Sequence, residues 1–142
     1  MFMYVTSIII IVLSNTMYNI CTKSIPEKAS PFASLFITYL TAAIITLIAF
    51  RVNKTDKGFF KSFEDLNWAS VVLGFCIVGL EVGYIMAYRA GWNISMGSLV
   101  ANIFLALMLI PIGIVFFREE FRIYKIVGVI FCVIGLLFLN KK

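Results

Sequence analysis

The chain is 142 residues long, 62% hydrophobic and only 13% charged, with a mean hydropathy of +1.03. A soluble domain is nearer half apolar and a quarter charged, so this is the composition of a membrane protein of one domain at most. The net charge of +5 does not point to nucleic acid, because Lys and Arg lie in short clusters between apolar runs and form no continuous basic face.

A helix needs about 20 apolar residues to cross roughly 30 Å of hydrocarbon. Five stretches qualify, at 3–21, 32–50, 68–87, 94–117 and 123–139. The expected fold is therefore an all-α membrane protein with five transmembrane helices, forming a single transmembrane domain over residues 1–142. The opening "MFMYVTSIIIIVLSNTMYNIC" has no basic n-region and no small-residue cleavage site, so it reads as a retained first helix. Asn15, Tyr18, Asn19 and Thr22 fall on one face of that helix, with Lys23 at its end. A turn with Pro26 and Pro31 follows. The second helix carries a weaker stripe of Ser34, Thr38 and Thr41.

The connection "RVNKTDKGFFKSFEDLN" is the longest. Its Phe59, Phe60, Phe63 and Leu66 share a helical face, which suits a short interfacial helix or a loop with scattered aromatics equally well. The third helix holds Glu81 inside an apolar run. Tyr84 and Tyr88, at i+3 and i+7, share its face. Gly79, Gly83 and Ala87 form a small-residue stripe on the opposite face, suited to helix packing. "YRAGWNIS" is a tight turn, with Gly91 to bend it and Trp92 at headgroup depth. The fourth helix carries Ser95, Ser98 and Asn102 on one face, and Pro111 removes one of its backbone hydrogen bonds. In the turn "REEFR", Glu119 and Glu120 complement the following helix dipole and can pair with Arg118 or Arg122. The fifth helix has no polar stripe; Gly128, Cys132 and Gly135 make a small-residue seam. Four helices thus have polar edges that can line a cavity, and the fifth reads as a packing helix.

The three cysteines, Cys21, Cys76 and Cys132, lack metal-ligand spacing and read as small buried hydrophobes. The chain has no histidine. No metal, no cofactor and no catalytic nucleophile–base pair is expected, so an enzyme is not the reading. Of the twelve Lys and Arg, seven fall in loops on the N-terminal side and five on the other. That places the N-terminus in the cytoplasm by a narrow margin, the near balance of a chain able to insert both ways.

An unpaired charge at mid-membrane costs about 3 kcal/mol on insertion scales, so Glu81 is expected to face the bundle interior or a wet cavity. Lys23 and Arg89 are its candidate partners, both near helix ends. If neither pairs with it, Glu81 is a proton carrier or a counter-ion for a cationic substrate. The bland alternatives are a structural Glu81, and Ser, Thr and Asn side chains that only bond helices together.

"REEFRIYKIVGVIFCVIGLLFL" resembles the closing signature of the EamA-type repeat of the drug/metabolite transporter superfamily: a Glu at the turn, a Gly nine residues later and another seven beyond, matched by Glu119, Gly128 and Gly135. "LSNTMYNICTKSIP" resembles the opening helix of that repeat, and "AYRAGWNIS" its turn before helix four. The chain departs from the family where an Arg is frequent in helix two, having Tyr39 in "ITYL", and its helix-four proline, Pro111, comes about one turn late. The resemblance implies one five-helix repeat per chain. Most members hold two inverted repeats with the site between them, so a single repeat implies a homodimer, and antiparallel pairing would rebuild the inverted pair. Similarity to the small multidrug resistance proteins, antiparallel dimers with an essential membrane Glu, points the same way, although their Glu is in the first helix. The expected function is a secondary transporter of the plasma or inner membrane. It exports or exchanges a small, cationic or amphipathic molecule, coupled to protons through Glu81, with Asn15, Tyr18, Asn19, Tyr84, Tyr88, Ser98 and Asn102 lining the cavity. The alternatives are a flippase subunit for a lipid-linked substrate and a structural or assembly subunit that transports nothing.

Overall fold

The computed structural model describes residues 2–53, 58–118 and 123–139. The turn carboxylates Glu119 and Glu120 with Arg122, and the loop and terminal lysines Lys54, Lys57, Lys141 and Lys142, lie outside the described residues. The described chain is helical throughout: α1 (Phe2–Ser24), α2 (Pro31–Val52), α3 (Phe59–Ser62), α4 (Trp68–Arg89), α5 (Ile94–Phe117) and α6 (Ile123–Leu139).

Local chemistry explains where these helices start and stop. Pro31 opens α2, where its fixed φ suits the first turn and its missing N–H is no loss. Asn67 caps α4, its side chain accepting a hydrogen bond from the Ala69 N–H at 3.0 Å. Beyond α4 the chain turns at Gly91, whose φ of +96° suits a residue without Cβ. Arg118, just past α5, is left-handed at φ 52°, and its N–H reaches the Gly113 carbonyl. α5 runs unbroken through Pro111. The aromatic loop resolves into a single helical turn, α3, where Phe59 meets the rings of Phe50, Phe60 and Phe63 edge-on at 5.0 to 5.7 Å.

Four helices are long and apolar enough to cross a membrane: Met3–Ser24, Pro31–Val52, Trp68–Arg89 and Ile94–Phe117. The fifth expected span is helical at its expected place, but its 17 residues rise only about 26 Å, a little short of the roughly 30 Å of hydrocarbon. α1 and α4 run slightly past their expected ends, to Ser24 and Arg89, because the polar residues there remain helical.

The chain forms two compact units, Met1–Gly91 and Trp92–Lys142. In the first, α4 lies against both α1 and α2. Tyr18 meets Tyr84, and Asn19 and Lys23 both meet Tyr88. Residue numbers rise together along the two helices, so α1 and α4 are parallel, as two helices separated by one return crossing must be. Leu35, Ile85, Tyr88, Asn19 and Thr22 are buried. All five belong to one end of the unit, where α1 and α4 finish and α2 begins. In the second unit α5 lies against α6, and Gly97 and Gly113 of α5 are buried.

Most large apolar side chains on the long helices are exposed, as befits helices whose solvent is lipid. The cysteines share that fate: Cys21, Cys76 and Cys132 are exposed free thiols, not the buried hydrophobes expected. Apolar residues need no protein cover when the surroundings are apolar.

Candidate functional site

The first unit gathers most of the residues expected around Glu81. Asn19, buried near the end of α1, is the hub. Its Nδ2 donates to the Asn15 carbonyl at 2.7 Å and to Asn15 Oδ1 at 2.8 Å. Its Oδ1 accepts a hydrogen bond from the Tyr88 hydroxyl. The i, i+4 spacing puts the two asparagines over one another, and the parallel run of α1 and α4 brings Tyr88 level with them. A ladder of rings continues toward Glu81: Tyr88 and Tyr84 lie 5.9 Å apart, and Tyr84 meets Tyr18 edge-on at 5.8 Å with an interplanar angle of 81°.

Glu81 is half-buried on the same helix. Among the described residues no cation pairs with it. Lys23 donates instead to the Tyr88 carbonyl at 3.0 Å, and Arg89 donates from Nη2 to the carbonyls of Ala29 at 2.6 Å and Pro26 at 3.3 Å. The end-of-helix cations thus close the α1–α2 turn onto α4. α1 and α2, the helices that lie against α4, each bring a buried phenol, Tyr18 and Tyr39. Both hydroxyls are buried without a hydrogen-bond partner. The three long helices of this unit thus carry one carboxylate and two buried hydroxyls without a hydrogen bond. Tyr39 was not among the expected site residues. Its only sequence signal was its position in helix two, where related chains often carry Arg.

Other polar stripes turn inward on their own helices. Thr22, Thr38 and Thr41 donate to carbonyls four residues back, at 2.8, 3.1 and 2.9 Å. In the second unit Asn102 donates to the Ser98 carbonyl at 2.8 Å and to its hydroxyl at 3.3 Å. Among the described residues, a Cβ added at Gly79, Gly83, Gly128 or Gly135 would meet nothing within 4 Å. No group of His, Cys, Asp and Glu with metal-binding proximity occurs among the described residues.

Long apolar helices that carry a carboxylate and phenols within their spans are those of a multi-pass membrane protein. The family is specific: the model of the EamA-like transporter family matches residues 2–141, and the chain belongs to that family. Its members are membrane transporters of the drug/metabolite type and not enzymes. Neither a curated protein nor a solved structure matches the chain.

Proposed function

We propose that the chain is a secondary transporter of the plasma or inner membrane, exporting or exchanging a small cationic or amphipathic molecule against protons. The observation that carries this reading is the absence of a cation beside Glu81, among the described residues, while Lys23 and Arg89 are engaged with backbone carbonyls. A carboxylate in a membrane span with only phenols for company must either hold a proton or meet a cation from outside. Substrate and proton then compete for one group, which is the basis of exchange. Tyr18, Tyr84 and Tyr88 line the approach, with Asn15 and Asn19 at its end.

In this reading α6 completes a five-span repeat by local thinning of the bilayer. Two copies, preferentially antiparallel, close the cavity, because a polar face left toward lipid is costly. A flippase for a lipid-linked substrate is the second reading; the same carboxylate would then meet a cationic headgroup. The test is proton-driven uptake into reconstituted vesicles, with a thermal melt of each variant. Glu81→Gln keeps volume and mimics the neutral acid, so it is expected to abolish proton-coupled movement while melting like the parent chain. Normal uptake by that variant excludes Glu81 as the coupling group; a collapsed melt makes it a structural residue.

A further inference from the structure

A second polar site lies outside the Glu81 cluster. Where α1 and α4 end, a cavity of about 70 Å³ opens among Thr22, Lys23, Glu27, Ile85, Tyr88 and Arg89. Its base is fixed, since Thr22, Ile85 and Tyr88 are buried. The Lys23 ammonium sits 5.7 Å from the centre of the Tyr88 ring and is anchored on the Tyr88 carbonyl. Arg89 is held by the carbonyls of Pro26 and Ala29, yet its Nε–H is buried and has no acceptor. Backbone carbonyls thus help to position both cations. Glu27 lines the same cavity.

We propose that this cavity binds an oxyanion, held between Lys23 and Arg89. The donor inventory supports it. Arg and Lys are donors only, and one buried donor, Arg89 Nε, lacks an acceptor. Glu27 lowers the charge of the lining to a net +1, which suits a single oxyanion. The depth suits it as well: the last turns of two membrane helices lie near the headgroups. The oxyanion is a phosphate or carboxylate, carried by a soluble molecule or by a lipid headgroup.

The experiment uses the purified full chain in uncharged maltoside micelles. Sodium phosphate and sodium acetate are titrated against sodium chloride at constant ionic strength. A separate arm adds phosphatidylglycerol to the micelles. The readout is the shift in thermal midpoint, fitted for apparent affinity. A saturable upward shift is expected with a soluble oxyanion or with the lipid, and the arm that gives it identifies the source. Lys23→Gln is expected to weaken that affinity about tenfold, the scale of one charge-assisted hydrogen bond. Glu27→Gln removes an exposed negative charge from the lining and is expected to strengthen it. A response in neither arm beyond chloride overturns the proposal, and so does an unchanged affinity in Lys23→Gln or a weakened one in Glu27→Gln. Since Glu27 is exposed, Glu27→Gln is expected to fold, and the proposal remains testable even where Lys23→Gln does not.

Discussion

At the residue scale, Tyr88 joins two roles that the sequence showed as one. Its hydroxyl binds Asn19, and its carbonyl anchors Lys23. The first contact is a side-chain hydrogen bond between membrane helices. Such bonds are worth about 0.6 kcal/mol on average and about 1.7 at most, because an unfolded helix in lipid also finds partners. Tyr88→Phe should therefore destabilise the chain modestly. A double-mutant cycle of Tyr88→Phe with Asn19→Ala, followed by denaturation in mixed micelles, should return a coupling near that average. Zero coupling would mean the two side chains do not bond in the membrane. Tyr39 supplies the matching functional expectation. Tyr39→Phe removes a buried hydroxyl of α2, the helix that lies against the Glu81 helix, and this hydroxyl supports no hydrogen bond of the fold. The melt should stay put while the pH profile of uptake moves; an unmoved profile would remove Tyr39 from the site.

At the element scale, α4 is the organising helix, because both α1 and α2 lie against it. Its two ends are held by small devices that substitutions can test. Asn67→Ala removes the cap on the Ala69 N–H and should cost about 1 kcal/mol, with Asn67→Ser restoring most of it. Gly91→Ala forces a side chain into a positive-φ conformation and should cost about 1–3 kcal/mol. Equal melts for parent and variants would show that these ends are not rigid in lipid.

The positions of these elements were legible in advance because hydropathy and length define a span directly. Neighbours were not. Hydropathy says nothing about which helix lies beside which, so the parallel pairing of α1 with α4 emerges only from the Asn19–Tyr88 and Tyr18–Tyr84 contacts. The polar stripes were legible as stripes and not as contacts: Thr38 and Thr41 turned to their own backbone, whereas Asn19 reached another helix. Lys23 and Arg89 were read as possible partners of Glu81 because opposite charges attract. The open carbonyls of a helix end and a turn lay closer and took them.

At the scale of the whole molecule, the expectations concern crossings and copies. With five crossings, Lys57 lies on the side of Met1 and Lys142 on the other. Single cysteines at those positions in a cysteine-free background should therefore label from opposite sides in any one orientation. Labelling of both from the same side only, in every molecule, would mean an even number of crossings and leave α6 at the surface. For the antiparallel pair, added lysines that lock the chain in one orientation should suppress uptake. Co-expression of two oppositely locked variants should restore it. Full activity from one locked form would make the pair parallel.

The parallel contact of α1 with α4 also sets a timetable for biogenesis. Asn19 and Tyr88 are 69 residues apart, and translation proceeds at about 5–20 residues per second. The first helix therefore leaves the ribosome about 3–14 s before its polar partner exists. During that wait Asn15 and Asn19 have only each other, and Lys23 has no Tyr88 carbonyl to hold. A nascent chain stopped before residue 68 should thus stay beside the insertion machinery, or be cleared by quality control. One that reaches Arg89 should partition into lipid as a set of three.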